Sequence, residues 1–302
     1  MLTSRPRPIG TEERRQRLDA LGQAFGAPDD ARLEAIEIAG VPAEWSTTPQ
    51  ADARRAVLYL HGGGYMAGSI ISHRYLAVET GRAAHARTLA LGYRLAPEHP
   101  YPAQLEDALA AYSMLRDKGF AASDIAVGGD SAGGNLTLSL LIALRDRGLP
   151  LPACGWLISP WSDLTASGAT MQSKANIDPM ISRPYLLELA QAFAGGKAFA
   201  DPLISPQFAD LTGLPPLLIQ VGSDETLLDD AIALTSRAGA AGVAVNLEIW
   251  PDMIHAFPML AASRQATAEA GAFIRQPFPQ GRVNHRVEAR TRCVHTRHAV
   301  GQ

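Results

Sequence analysis

Residues 128–135, GGDSAGGN, hold one serine in the pattern Gly129-x-Ser131-x-Gly133. A β-rich run precedes it and a helical run follows, the setting of a sharp strand-to-helix turn that lifts a hydroxyl clear of the backbone. Glycine is needed on both sides because a Cβ there would clash as the chain reverses. A serine in this place either caps the helix or attacks a carbonyl carbon. On its own the pattern leaves both open.

Attack needs partners. Acyl transfer passes through a tetrahedral intermediate whose oxyanion must meet backbone N–H donors already in position, each contributing ~3 kcal/mol to the transition state. The stretch LHGGGY (60–65) suits that task, and Gly62, Gly63 and Ala132 are the expected donors. The glycines fit neither phosphate-loop spacing, G-x-x-x-x-G-K-S/T or G-x-G-x-x-G. A serine hydroxyl also needs a base. His255, in MIHAF after a β-rich run, is the candidate; His61 belongs to the glycine loop, and nothing aims His73, His85 or His99 at Ser131. The acid that orients the imidazole is sought in VGSDETLLDD (221–230). Asp224 and Glu225 are adjacent, so in extended chain only one faces the histidine. Asp229 and Asp230 read as the first turn of the next helix, where carboxylates suit the dipole.

Positioning these groups requires a sheet. The runs 54–61, 86–94, 124–129, 154–159, 216–222 and 245–250 read as strands, several of them apolar throughout, as expected for strands covered on both faces. Runs 33–40 and 42–47 add a hairpin at the sheet edge, giving about eight strands in all. Helical patterns at 102–119 and 132–148 alternate with them, so the fold class is α/β with a mostly parallel sheet and helices on both faces. Two segments break the rhythm. Residues 1–32 carry a polar helix, and residues 162–200 make a connection long enough to be a lid or binding element.

The 302 residues are 47 % hydrophobic with a net charge of −3, which argues against a nucleic-acid partner. No apolar run is long enough to span a bilayer, and the start of the chain lacks the apolar core of a secretory signal. Cys154 and Cys293 make neither a disulfide framework nor a metal spacing; no metal is expected and the cytoplasm is the expected location.

The motifs HGGGY, YRLAPEHPYPA (93–103), GDSAGG (129–134), DPLISP (201–206), GLPPLLIQVG (213–222) and IHAF (254–257) follow one another in the order of the bacterial hormone-sensitive-lipase-like, or family IV, carboxylesterases. The sequence resembles that family over about residues 35–275. The resemblance implies an α/β-hydrolase fold with a helical cap, and cofactor-free hydrolysis of short-chain carboxylic esters by a Ser131–Glu225–His255 triad. It selects Glu225 over Asp224 because Glu225, Leu227 and Asp229 fit its carboxylate-x-Leu-x-Asp register. It makes Glu98 and Asp130 supports of the loops near the serine, and it implies that two copies often pair through the last strand. The domain division that follows is an amino-terminal cap segment (1–32), a catalytic domain (33–276) with its cap insertion at about 162–200, and a basic tail (277–302). Two alternatives stand beside this reading: amide, carbamate or lactone hydrolysis on the same triad, and a non-catalytic small-molecule receptor. Plant gibberellin receptors resemble the family without its histidine, so His255 argues against the second.

Overall fold

The computed structural model describes residues 10–260 and 264–276; the tail expected at 277–302, with Cys293, lies outside them. The elements run α1 (Thr11–Phe25), β1 (Arg32–Ile38), β2 (Val41–Thr47), β3 (Asp52–Leu60), α2 (Ile70–Ala84), β4 (Ala86–Leu91), α3 (Ala103–Asp117), β5 (Ile125–Asp130), α4 (Ala132–Asp146), β6 (Cys154–Ile158), α5 (Thr170–Ser173), α6 (Arg183–Phe193), β7 (Leu217–Gly222), α7 (Leu228–Ala240), β8 (Val245–Trp250) and α8 (Arg264–Ile274). One sheet holds the strands in the order β1-β2-β4-β3-β5-β6-β7-β8. The β1–β2 hairpin and its junction with β4 are antiparallel, and every later pairing is parallel.

The apolar strands are buried on both sides. In β3, Leu58 and Leu60 pack with Leu105, Leu109 and Leu115 of α3 and Leu136 and Leu140 of α4. The alternating Val57 and Tyr59 pack instead with Leu76 of α2 and Phe273 of α8. Farther along, Leu217, Ile219 and Val221 of β7 meet Leu138 and Leu141 of α4 and Leu234 of α7. The period-two alternation of a strand thus serves two helical layers at once, which fixes the carboxyl ends of β3, β5, β7 and β8 along one edge.

Helix α2 falls in a stretch where the sequence yielded no clear helical stripe. Its start is set by a capping box: Ser69 Oγ accepts from Ser72 N–H at 3.1 Å, and Ser72 Oγ accepts from Ser69 N–H at 2.7 Å. The polar helix α1 docks through arginines. Arg14 bonds Glu188 of α6 at 2.6 Å and lies over the Tyr185 ring. Arg15 donates to Met66 O at 2.9 Å and to both oxygens of Glu98 at 3.0 and 2.7 Å, holding that carboxyl down at about 2. The amino-terminal segment and the 162–200 insertion, both expected as cap elements, therefore touch each other and the loops beside the glycine turn.

Candidate active site

Ser131 joins β5 to α4 with φ 54° and ψ −117°, a backbone conformation that costs an L-residue of order 1–3 kcal/mol. Its N–H donates to Ile158 O at 2.8 Å and its carbonyl accepts from Asn135 and Trp161 N–H, both at 3.1 Å. These bonds to β6 and its following loop hold the turn. The serine side chain makes no capping bond to α4, so the helix does not use the hydroxyl. A Cβ on Gly129 or Gly133 would run into Leu60 O at the end of β3. The glycines are demanded by the neighbouring strand as well as by the turn.

Glu225 and His255 meet: His255 Nδ1 lies 3.0 Å from Glu225 Oε2. The other carboxylate oxygen accepts from Ser159 Oγ at 2.8 Å and from Gly222 N–H at 2.5 Å. Nδ1–H donation to Glu225 leaves Nε2 as the proton acceptor of the ring. Asp224 faces away, half-buried, with Lys174 Nζ at 3.5 Å and Ser223 Oγ at 3.3 Å. Ser131 is 6 % exposed, His255 3 % and Glu225 0 %. Ser159 was not singled out in the sequence. It follows β6, which the sheet order places between the serine strand and the acid strand, and its Oγ also accepts from Ala256 N–H at 3.1 Å, locking the residue after the histidine. Only that sheet order identifies it.

Burial pushes the His255 imidazole down, but the Glu225 hydrogen bond and charge, with Asp178 and Asp130 behind them, outweigh burial and raise it above the ordinary 6.5. An imidazole takes up a proton only when neutral, so a reaction that uses His255 as its base speeds up as pH climbs through this value. For such a reaction the acidic limb of kcat/KM against pH is expected to have its midpoint above about 6.5, read from initial rates across pH 5–9. A midpoint below 6 contradicts the arrangement.

The glycine loop corrects one expectation. Gly62 N–H donates to Asp130 Oδ1 at 3.0 Å and is not free for an oxyanion. Among the described residues no acceptor faces the N–H of Gly63, Gly64 or Ala132. Asp130 is the anchor below: Oδ1 also accepts from Tyr59 OH at 2.7 Å, and Oδ2 lies 3.3 Å from His73 Nε2. Burial alone would push this carboxyl up; the His73 ring and the Tyr59 hydroxyl bring it to about 2. His61 stacks on Tyr93 at 4.1 Å, and burial beside His73 takes it down to about 3, so it is a neutral packing residue.

Asp229 and Asp230 stand in the first turn of α7, as expected. Asp230 is fully buried, and its Oδ2 accepts from Ser162 and Asp163 N–H, both at 2.9 Å. It holds the root of the insertion, and burial pushes its carboxyl well up. Tyr65, Trp161 and Phe193 are closed in the core, with Phe193 stacked on Tyr65 at 3.7 Å. Phe25 packs on Tyr75 at 5.9 Å and lines a separate groove with Pro28 and Pro258.

An α/β-hydrolase fold family profile matches residues 57–259. An acetyl-hydrolase of Streptomyces hygroscopicus is 43 % identical over 274 residues, 89 % of this chain and 91 % of that protein. The chain belongs to the α/β-hydrolase family. An esterase of Acinetobacter venetianus shares 34 % over 267 residues, 85 % of this chain and 86 % of that one. Among solved structures, a bacterial hormone-sensitive-lipase-family esterase superposes with a TM-score of 0.88 at 46 % identity, covering 92 % of this chain and 95 % of its own. The esterase EstE5, soaked with p-nitrophenyl butyrate, gives 0.86 at 45 %, covering 91 % and 95 %. The expected resemblance to the bacterial hormone-sensitive-lipase-like esterases is borne out by the first of these structures. Among the described residues no helix is long and apolar enough to cross a membrane.

Proposed function

We propose that the chain is a serine carboxylesterase acting on short-chain esters through Ser131, His255 and Glu225. The observation that carries the reading is a strained, uncapped serine at the carboxyl edge of the sheet that also bears a buried Glu225–His255 pair. His255 Nε2 takes the Ser131 proton as Oγ bonds to the ester carbonyl carbon, and the carbonyl π electrons move to oxygen. The N–H groups of Gly63, Gly64 and Ala132 hold that oxyanion, Gly64 taking the place expected for Gly62. The intermediate collapses, the C–O bond to the alcohol breaks, and protonated His255 hands its proton to the leaving alkoxide. Water, deprotonated by His255, then attacks the acyl carbon, the C–O bond to Ser131 breaks, and His255 returns the proton to Ser131 Oγ as the acid leaves. Glu225 stabilises each imidazolium.

The packing over the glycine loop supports a short acyl group. Leu189 of α6 lies against Gly64, where an added Cβ would strike it, and Phe193 of the same helix stacks on Tyr65. Helix α6 thus lies directly over the glycine loop. The relatives named for acetyl hydrolysis and the butyrate-soaked neighbour point the same way. A panel of p-nitrophenyl esters from two to sixteen carbons, with matching anilides, tests this. Expected is a maximum in kcat/KM at about two to six carbons and anilide rates at least 100-fold lower. Faster anilide turnover would select an amidase on the same residues.

A further inference from the structure

We propose that Asp178 is a positioning residue for this reaction: it fastens the 162–200 insertion to the loop carrying Glu225, so that the seated insertion fixes the backbone behind the acid and sharpens its alignment on His255. The inference rests on the esterase reading above and adds to it a residue thirty or more positions from any member of the triad in sequence.

The Glu225 side chain is held by the sheet edge, through Ser159, Gly222 and His255. The backbone that follows it is held by the insertion. Thr226 N–H donates to Asp178 Oδ2 at 2.8 Å, and Thr226 Oγ1 donates to the same oxygen at 3.1 Å. Thr226 O accepts from Thr170 Oγ1 at 2.7 Å. Helix α7 begins there with Leu227 at its cap position and no capping side chain of its own. Thr170 supplies the missing acceptor, taking Asp229 N–H at 3.1 Å, while its own N–H donates to Asp229 Oδ2 at 2.9 Å. A helix whose start is capped from another segment depends on that segment for its position.

Asp178 is shaped for the task. Its Oδ1 accepts from Met180 and Ile181 N–H at 2.8 and 2.9 Å, which fixes its own loop and leaves Oδ2 for Thr226. Asp178 is 7 % exposed, Thr170 8 % and Thr226 0 %, so water does not stand in for a lost partner. The carboxylate also acts through space. The charges that bear on His255 are Glu225 from the acid loop, Asp178 from the insertion and Asp130 from the end of β5, and all three favour the imidazolium. On the outer side of the acid loop, Lys174 is paired with Asp224.

The test uses the full-length enzyme and p-nitrophenyl butyrate. Asp178→Asn keeps the size, removes the charge, and turns an amide N–H2 toward one of the two sets of N–H donors. Expected is a fall in kcat on the order of 10- to 100-fold, KM within about twofold, and an acidic-limb midpoint moved to lower pH. Thr170→Val removes a hydroxyl clip with no change of charge. It is expected to lower kcat severalfold and leave the midpoint in place. Wild-type kcat and midpoint in Asp178→Asn, with only a lower Tm, overturn the proposal by making the residue merely structural. Should Asp178→Asn yield no folded protein, Thr170→Val decides: reduced kcat supports the fastening and unchanged kcat overturns it. Ser131→Ala runs alongside. If it turns over ester as fast as wild type, the esterase reading has failed; if it is dead while Asp178→Asn is normal, only the present inference has.

Discussion

Ser131→Ala is expected to lower kcat/KM on a short-chain ester by about 10,000-fold or more, and to abolish labelling by an organophosphate. The two possible roles of this serine predict different stability effects as well. A helix-capping serine loses about 1 kcal/mol on conversion to alanine, whereas Ser131 makes no capping bond and its alanine variant is expected to unfold within about 0.5 kcal/mol of wild type. Ser131→Gly separates the roles further. At φ 54° and ψ −117° the backbone is strained for any residue with a Cβ, and glycine relieves that strain. The glycine variant is expected to be equally dead yet more stable by about 1 kcal/mol, read from urea midpoints. A serine whose removal left activity intact would overturn the mechanism outright.

Glu225→Gln is expected to reduce kcat by roughly 1,000- to 10,000-fold, with Asp224→Asn within about twofold of wild type. The asymmetry comes from hydrogen-bond accounting. Ser159 Oγ–H and Gly222 N–H both point at Glu225 Oε1, so a glutamine must turn its carbonyl oxygen toward them. Its N–H2 then faces His255 Nδ1, which must become an acceptor, and the ring proton moves to Nε2. That is the wrong tautomer for taking a proton from Ser131. Among the described residues the side-chain partners of half-exposed Asp224 are Lys174 and Ser223. The same exchange removes the charge that raises His255, so residual activity in Glu225→Gln is expected to persist to lower pH. Steady-state rates of both variants across pH settle the point; a crippled Asp224→Asn beside an active Glu225→Gln would reverse the assignment.

How much of this was legible in the residues depended on the range of the interaction. Strands such as 154–159 and 216–222 announce themselves because burial on both faces demands unbroken apolar runs. The edge hairpin, which is β1 and β2, follows from its turn residues. Helix α2 was obscure because its register is set by contacts on α1, α8 and the sheet, and its one local signal is the Ser69–Ser72 box. The amino-terminal cap helix is polar, and its contacts are made by arginines, which composition alone does not distinguish from a solvated face.

The sequence by itself determined the alternation of strand and helix, the glycine-flanked serine between them, and the order in which serine, acid and histidine follow along the chain. These are properties of local backbone and side-chain pattern, and neighbouring residues carry them. The register of Glu225, Leu227 and Asp229 already favoured Glu225 over Asp224; only the tertiary structure decided that Gly62 N–H belongs to Asp130, that Asp230 anchors the insertion, that Ser159 bonds Glu225 and that Asp178 bonds the next residue, Thr226. Each of those is a hydrogen bond or buried charge between groups well separated in the chain, and which donor meets which acceptor is settled when β5, β6, β7 and β8 come side by side.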